Sequence, residues 1–394
     1  MSKPRILILG DGFGAPAYNP RLRFLCDYLQ EKGYSFDLVV EHIGELNFAH
    51  NYPIHELAIY SGSRIDWMVK NIWSLLTDWK NRHFSKLVEQ RFGKRHYDLV
   101  FCTTFYTFPL RAANEFGRRH KIPVIADVRD LAEQAPGNAV HYLAHRSSWL
   151  HLFVKPYRRI NIQRRNRQLR LANAVTTVSP WHVEFIKQFN PNTHLIYNGF
   201  DEKQYTPEDI PSSEFILSYC GNFFDLPLHN PTLLFEALQQ LPEMPYRLRF
   251  YTSKDGQERI LQWAQRYGIT DHLELHDFLP NTEMKRIYHE SSVLLVFTNT
   301  ASEQNVHGIM TTKFFEALGV EKPVLCVRSD EECLAQVIQE TNAGLAARSA
   351  EEVRTFLIEK YAQWQAQGFT RQEVKNKGHF SRQFQMQQLE KLFS

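Results

Sequence analysis

Residues 293–327 read VLLVFTNTASEQNVHGIMTTKFFEALGVEKPVLCV, and this stretch indicates the fold class. Its two ends, VLLVF and PVLCV, are apolar runs of strand length, and residues 312–319 between them have the apolar spacing of a helix. Strands that are apolar along their whole length are buried on both faces, as in parallel sheets covered by helices. The stretch therefore predicts one strand–helix–strand unit of an α/β protein.

The same alternation of strands and helices extends along the whole chain. In the first half we predict strands at Ile6–Leu9, Phe36–Val40, Leu99–Cys102, Val124–Ala126, Ala174–Val178 and Leu195–Tyr197, with helices near 20–32, 64–92, 108–120, 148–172 and 180–189. In the second half we predict strands near 215–219, 247–251, 273–276, 293–297 and 323–327, with helices near 230–241, 256–267, 282–290, 312–319, 331–340 and 350–366. Two runs of this length predict two doubly wound, Rossmann-like domains with parallel sheets.

The boundary between the two domains is expected at a polar segment. Residues 201–214, DEKQYTPEDIPSSE, contain two prolines and have no apolar periodicity, which is typical of a linker. We therefore predict an N-terminal domain over residues 1–203 and a C-terminal domain over residues 204–378. A last amphipathic helix follows a break at Gly378 and could pack on either domain.

Composition excludes several classes of protein. The 394 residues are 43% hydrophobic and 23% charged, with 46 basic and 43 acidic residues, so a disordered chain is excluded and the net charge of +3 favours no particular partner. The longest apolar runs are about five residues, whereas a membrane-spanning helix needs about 20. The 5 cysteines form no CxxC pair, and the apolar stretch near the N-terminus is too short for a signal peptide. We expect a cytoplasmic protein whose thiols lie in the core.

The first predicted strand ends in a glycine-rich loop. Residues 10–15, GDGFGA, formally match the dinucleotide fingerprint GxGxxG/A, but Pro16 and Pro20 follow. An interior proline costs a helix about 3 kcal/mol, and the fingerprint requires a helix that begins inside the glycine run. We expect the helix to begin near Pro20, and the loop at Gly12 and Gly14 to approach a ligand or simply to connect the two elements.

Charged residues follow a second strand of the first domain. The strand at 124–126 runs into Asp127-Val128-Arg129-Asp130, and charges at the end of a buried strand need a partner or an open site. Two interpretations stay open, an internal Arg–Asp salt bridge and a cation with a carboxylate at a ligand site. Open α/β sheets bind ligands at the carboxyl ends of their strands, which favours the second.

The second domain has its own candidate site for a phosphorylated ligand. Gly221 and Asn222 end one predicted strand, and Met310, Thr311, Thr312 and Lys313 precede or begin a predicted helix. Free N–H groups at a helix N-terminus favour a diphosphate, and Lys313 would add a positive charge. Glu316 lies one turn further on, where a carboxylate can accept hydrogen bonds from a ribose diol. The alternative is an ordinary helix cap with a surface glutamate.

Taken in order, these segments resemble the retaining GT-B glycosyltransferases of the family-4 type, also called glycosyl transferases group 1. The segments that carry the resemblance are IPVIADVRDL, ANAVTTVSPWHVEFI, LIYNGFDEKQY, SYCGN, LELHDFLPNTEMKRIYHESSVLLV and TTKFFEALGVEKPVL. The resemblance implies two Rossmann-like domains facing a cleft, with the acceptor on the first, the nucleotide-sugar on the second, and the terminal helix 379–394 returning to the first.

The resemblance also implies roles for individual residues. Glu316 matches the glutamate that binds the donor ribose, and Thr311 and Thr312 match the backbone positions over the diphosphate. Arg129 lies where many members carry a histidine at the reaction centre. Asp127 and Asp130 belong to the same four-residue motif, DVRD, which is a variant of the family's motif at this place. Gly12, Gly14 and Arg21 match the mobile glycine loop and the start of the helix after it, on the acceptor side.

The sequence departs from the family pattern at two places. The family's first glutamate, eight positions before the second, is replaced by Gly308. The arginine and lysine that commonly hold the diphosphate are also missing, because Asn222 takes the first place and the region of the second offers only His229. Lys313 is the expected substitute cation.

A basic segment lies in the first domain. From Gln134 to Val183 there is no Asp or Glu, but there are eight Lys or Arg residues, among them Arg158, Arg159, Arg164 and Arg165. Next to aromatic residues, such a segment is typical of an interfacial element on an anionic membrane, and equally of a solvated helix face or of partners for internal acids. A nucleic-acid partner is not expected, because the chain has no recognised binding module.

The sequence thus predicts a glycosyltransferase that uses a nucleotide-diphospho-sugar donor and a saccharide or polyprenyl-linked acceptor. We expect retention of configuration, no metal or other cofactor, a role in cell-surface polysaccharide synthesis, and peripheral attachment to the inner face of the membrane. Two rivals are an NAD- or SAM-dependent Rossmann enzyme built on the glycine run, and a degenerate, non-catalytic nucleotide-sugar binder.

Overall fold

A computed structural model describes residues 3–11, 20–41, 50–60, 63–104, 107–134 and 151–393. It divides into two compact units, Met1–Ile196 with Met386–Ser394, and Tyr197–Gln385. Each unit contains one parallel sheet with helices, so the predicted α/β class is confirmed.

The first unit contains a seven-stranded sheet in the order β3-β2-β1-β4-β5-β6-β7. Its strands are β1 Ile6–Gly10, β2 Phe36–Glu41, β3 Ile54–Leu57, β4 Leu99–Thr104, β5 Val124–Val128, β6 Ala174–Thr177 and β7 Thr193–Leu195. Its helices are α1 Pro20–Glu31, α2 Arg64–Thr77, α3 Trp79–Phe92, α4 Leu110–His120, α5 His151–Leu169 and α6 Pro180–Lys187.

The second unit contains a six-stranded sheet in the order β10-β9-β8-β11-β12-β13. Its strands are β8 Ile216–Cys220, β9 Arg247–Tyr251, β10 Leu273–His276, β11 Val293–Phe297, β12 Val324–Val327 and β13 Gly344–Ala346. The helices that follow are α7 Thr232–Gln239, α8 Lys254–Tyr267, α9 Asn281–Glu290, α10 Ala301–Gln304, α11 Thr312–Val320, α12 Cys333–Thr341, α13 Ala350–Gln367 and α14 Arg382–Glu390.

The end of α14 and the residues after it complete the core of the first unit. Met386, Leu389 and Phe393 pack in one cluster with the apolar side chains of β1 and α1. The carboxylate of Glu390 accepts hydrogen bonds from the hydroxyls of Tyr28, at 2.5 Å, and Tyr34, at 2.6 Å. The last turns of the chain are therefore held by both apolar packing and polar contacts.

The structure differs from the predicted elements at several places. The helix expected over 64–92 is broken at Asp78, which adopts a left-handed backbone with φ 58° and ends α2. Strands β3 and β13 were not predicted, because they are short and their residues are mostly half-exposed, so neither makes a clear apolar run. All 5 cysteines are free and buried, as expected.

Candidate functional site

Asp127 lies inside β5, one residue before its end, rather than beyond the strand as predicted. Its carboxylate is 1% exposed and accepts hydrogen bonds from Arg21 Nη2 at 2.8 Å, Thr103 Oγ1 at 3.0 Å and Thr176 Oγ1 at 2.7 Å. Arg21 is itself 6% exposed, and its Nη1 donates to the carbonyl of Ile196 at 2.7 Å. The structure therefore places Asp127 and Arg21 in a buried ion pair that joins α1 to the sheet, not at an open catalytic or acceptor site.

Arg129 and Asp130 follow the end of β5 and have different surroundings. The Nη2 atom of Arg129 contacts both carboxylate oxygens of Asp11, at 2.7 and 2.8 Å, and both side chains are nearly buried. Burial raises the pKa of Asp130 to about 6, although Arg129 nearby opposes the shift. Of the two interpretations left open, the internal salt bridge is thus present between Arg129 and Asp11, while Asp130 is a carboxyl group that titrates near pH 6 and is ionised at pH 7.

The position of α1 agrees with the expectation from the sequence and gives no support to the dinucleotide fingerprint. Strand β1 ends at Gly10 and α1 begins at Pro20, which is the start that the two prolines predicted. A fingerprint glycine loop places its pyrophosphate on a helix that begins there. Gly12 and Gly14, with the rest of this loop, lie outside the described residues.

In the second unit, Gly221 and Lys313 come together at the carboxyl end of β8. Gly221 has φ 140°, and a Cβ atom at this position would overlap with the Lys313 side chain. The Lys313 Nζ atom lies 5.8 Å from the ring centroid of Tyr219. Burial lowers the pKa of Lys313, and the nearby Glu316 opposes that shift. The positive φ favours a glycine here, and a larger residue would displace the end of the lysine side chain that crosses the end of the strand.

The first turn of α11 presents backbone N–H groups beside this lysine. Thr311 precedes the helix in an extended conformation with φ −68° and ψ 139°, and its side chain makes no capping hydrogen bond. No acidic residue lies in the first turn, while Met310 before it is buried and Thr312 begins the helix. Uncapped N–H groups with the helix dipole and a neighbouring cation are suited to an anion such as a diphosphate.

Glu316 lies one turn into α11 and is held by tyrosines. Its Oε2 atom accepts a hydrogen bond from the hydroxyl of Tyr288 at 2.7 Å. Burial raises the pKa of Glu316, while hydrogen bonds from Tyr288 and Tyr205 and the charges of Arg382 and Lys313 lower it. Sequence reasoning missed the two tyrosines, because they precede Glu316 by many residues and carry no local signal of this contact.

The four arginines predicted on the membrane-facing surface have different environments. Arg165 is 0% exposed and forms an ion pair with Glu133, so its assignment to a surface was wrong. Arg158 donates to the backbone carbonyl of Ala132 at 2.9 Å, and Arg164 lies 3.7 Å from the Asp78 carboxylate. Arg159 is exposed. The helix therefore uses part of its charge internally; residues 135–150 of the basic segment lie outside the described residues.

Neither a metal site nor a membrane span is found in the parts of the chain that the structure describes. Their His, Cys, Asp and Glu side chains form no group of three able to hold a metal ion. No helix in these parts is both long and apolar enough to cross a membrane.

Solved structures with a similar fold include a protein that binds UDP and a protein described as a glycosyltransferase. HepE from Anabaena, solved with UDP and glucose, has a TM-score of 0.63 at 15% identity, with 99% of each chain covered. A glycosyltransferase from Rickettsia africae has a TM-score of 0.64 at 11% identity, covering 100% of this chain and 98% of that one. The sucrose-phosphate synthase of Thermosynechococcus elongatus has a TM-score of 0.57 at 16% identity, covering 99% and 98%. The two sheets therefore belong to a GT-B fold, as expected.

Family profiles match both halves of the chain. The profile described as Glycosyltransferase Family 4 matches residues 21–204, and the one described as Glycosyl transferase-like matches residues 232–389. The chain belongs to the group 1, family-4-type glycosyltransferases. None of the curated proteins matches it in sequence.

The residues that replace the family's arginine and lysine at the diphosphate are Asn222 and His229. His229 accepts a hydrogen bond at Nδ1 from the backbone N–H of Phe224 at 3.2 Å, and burial with the charge of Lys313 lowers its pKa to about 3. Because it is neutral at pH 7, His229 does not supply the missing positive charge. Asn222 is exposed, and its backbone carbonyl accepts a hydrogen bond from the hydroxyl of Tyr219 at 2.6 Å. Lys313 remains the cation expected at the diphosphate.

Proposed function

We propose that this glycosyltransferase transfers a sugar, with retention of configuration, from a nucleoside-diphospho-sugar held by its second unit. The observation that carries the proposal is the position of Lys313, which crosses Gly221 beside an uncapped helix N-terminus. Placing a half-buried cation next to uncapped N–H groups costs free energy of desolvation, and the nearby Glu316 offsets that cost only in part. A bound diphosphate would supply the missing negative charge.

The proposed chemistry follows from the charges that develop during transfer. The bond between the anomeric carbon and the diphosphate oxygen breaks, so the leaving group gains negative charge and the sugar becomes cationic. The first-turn N–H groups of α11 and Lys313 stabilise the leaving diphosphate, and such fixed donors contribute about 3–4 kcal/mol each when preorganised. Glu316 accepts hydrogen bonds from the ribose. These residues, rather than a metal ion or another cofactor, balance the charge in this proposal.

Asp130 is proposed to act on the acceptor side. Since its pKa is near 6, it is ionised at pH 7 and can orient the acceptor hydroxyl or stabilise the cationic sugar. Arg129, fixed by Asp11, would position this carboxylate. The acceptor hydroxyl attacks on the face from which the diphosphate leaves and gives its proton to the departing phosphate oxygen, so the configuration is retained and no nucleophile from the protein is required.

The nature of donor and acceptor is proposed from chemistry and from similar proteins. UDP is the favoured nucleotide, because HepE structures contain UDP or UDP-glucose. A saccharide or polyprenyl-linked acceptor, in cell-surface polysaccharide synthesis at the inner face of the membrane, fits the basic first unit. A structurally similar protein is described as a lipopolysaccharide outer core galactosyltransferase, with a TM-score of 0.58 at 11% identity.

A thermal-shift screen with UDP-, GDP- and ADP-sugars tests the donor. A ligand at 100 times its dissociation constant stabilises a protein by about 2.7 kcal/mol, so the correct nucleotide should raise the melting temperature clearly. With that donor, release of free sugar in the absence of acceptor measures bond cleavage, and NMR of the transferred sugar's anomeric proton reads its configuration. Binding without cleavage would identify a degenerate binder, a result that Gly308 in place of the family glutamate would then explain.

A further inference from the structure

Helix α2 presents an apolar stripe to solvent. Ile65 is 70% exposed, Val69 and Trp73 are each 55% exposed, and Leu76 is 76% exposed. At 100° per residue these four positions fall within an arc of about 80°, so they form one continuous face of the helix. A single exposed leucine needs no explanation, but a row of four large apolar side chains on one helix indicates a surface that is covered by something.

An arginine-lined cavity opens at the C-terminal end of this stripe. The cavity has a volume of about 250 Å³, and Leu76 belongs both to its lining and to the stripe. Four arginines line it together with one carboxylate, that of Asp78; the arginines are Arg82, Arg111, Arg164 and Arg167.

Positive charge exceeds negative charge in the cavity. Asp78 forms an ion pair with Arg111 at 2.8 Å and lies 3.7 Å from Arg164. Arg82 and Arg167 are exposed, and neither guanidinium has an acidic partner among the described residues. Guanidinium groups bind phosphate through paired N–H donors, so this cavity is suited to a phosphate group.

We propose that this face of the first unit docks on a bilayer that contains anionic phospholipid, with the apolar stripe inserted and a lipid phosphate in the arginine-lined cavity. A lipid surface presents an apolar layer and a layer of phosphate side by side, which is the arrangement of groups found here. Tryptophan at the edge of the stripe suits the interface between these layers. The purpose of this contact, access to a lipid-linked acceptor, rests on the proposed function, whereas the contact itself does not.

The proposed surface coincides only in part with the basic segment that the sequence indicated, which contributes Arg164 and Arg167. Its charges come from three places in the chain, the α3 residue Arg82, the α4 residue Arg111 and the α5 residues Arg164 and Arg167. Its apolar part comes from α2, which contributes no arginine to the cavity. Arg159 lies on α5 but outside the cavity lining, so it provides a matched control for charge.

Co-sedimentation of the full chain with vesicles tests the proposal. We expect binding to vesicles of phosphatidylcholine mixed with phosphatidylglycerol, and weak binding to phosphatidylcholine alone. Replacing Arg82 and Arg167 by Gln should weaken binding roughly thirtyfold, from about 1 kcal/mol for each basic residue near the surface. The Trp73→Ser, Leu76→Ser variant should weaken it by about tenfold or more, because two exposed side chains lose their burial in lipid. Arg159→Gln and Ile358→Ser, the latter 44% exposed in the second unit, serve as controls and should change binding little.

Insertion of the stripe can be measured directly. Brominated lipid should quench tryptophan fluorescence in the wild type and less in Trp73→Phe, which keeps the apolar surface. Equal quenching, or equal loss of binding in Arg159→Gln and in the cavity variant, would overturn the proposal. So would a dimer in solution that the Trp73→Ser, Leu76→Ser variant dissociates, because the stripe would then be a protein interface.

Donor hydrolysis separates this inference from the proposed function. A protein that cleaves the donor but does not bind acidic vesicles would support the proposed transferase activity and contradict the docking surface. A protein that binds vesicles through the stripe but never cleaves a nucleotide-sugar would support the docking surface and contradict the proposed transferase activity.

Discussion

The sharpest prediction concerns Lys313, which we replace by Met. The side chain keeps its length and apolar stem but loses its charge, so the contact with Gly221 is retained. A hydrogen bond to a charged group contributes about 1.5–3 kcal/mol, which corresponds to roughly a tenfold to hundredfold weaker affinity for a nucleoside diphosphate. Because burial lowers the pKa of Lys313, the folded state disfavours its charge, and the variant should be at least as stable as the wild type at pH 7.

Isothermal titration calorimetry with UDP and with uridine measures this effect. The affinity for UDP should fall in Lys313→Met while any affinity for uridine, which has no phosphate, stays the same. Lys285→Met is the matched control, because Lys285 lies in the same unit and forms an ion pair with Glu208 on the surface. Gly221→Ala should reproduce the loss by displacing the lysine side chain. An unchanged UDP affinity in Lys313→Met, with the fold intact, would refute the assignment of this site to the diphosphate.

Three further predictions concern single carboxylates. Glu316→Ala should weaken UDP binding by about tenfold or more, with little effect on 2′,3′-dideoxy-UDP, and calorimetry that finds equal losses for both nucleotides would contradict a ribose contact. The kcat/KM for transfer should fall as the pH drops below about 6, where Asp130 becomes protonated, and a pH–rate profile of Asp130→Asn that keeps this acid limb would assign it to another group. Burial alone would raise the pKa of Asp37, but hydrogen bonds from Tyr97, His55 and Arg5 lower it to about 2. The ionised carboxylate of Asp37 should therefore add about 2 kcal/mol to the free energy of unfolding above pH ~4, and this contribution should be lost as the pH falls toward 2. Urea unfolding should show Asp37→Asn to be less stable than the wild type at neutral pH but not near pH 2.

What the sequence determined about this protein is its alternation of strands and helices, and with it the fold class. Runs such as VLLVF and PVLCV are local signals, because a strand buried on both faces must be apolar at every position. The start of α1 at Pro20 was also predictable, since proline restricts its own backbone and suits the first turn of a helix. The place of Lys313 and Glu316 on one helix after a strand likewise follows from spacing along the chain.

Only the tertiary structure decided which charged residues are already paired. Asp127 and Arg21 are 106 positions apart, and nothing in either local sequence shows that they form a buried ion pair. Arg165 looked like a surface cation until the fold placed Glu133 against it. Nothing in the sequence indicated the ion pair between Asp78 and Arg111, which lies on another helix. Apolar periodicity is a property of one segment, whereas the partner of a charge is set by long-range packing, and that is why the sequence alone misassigned these residues.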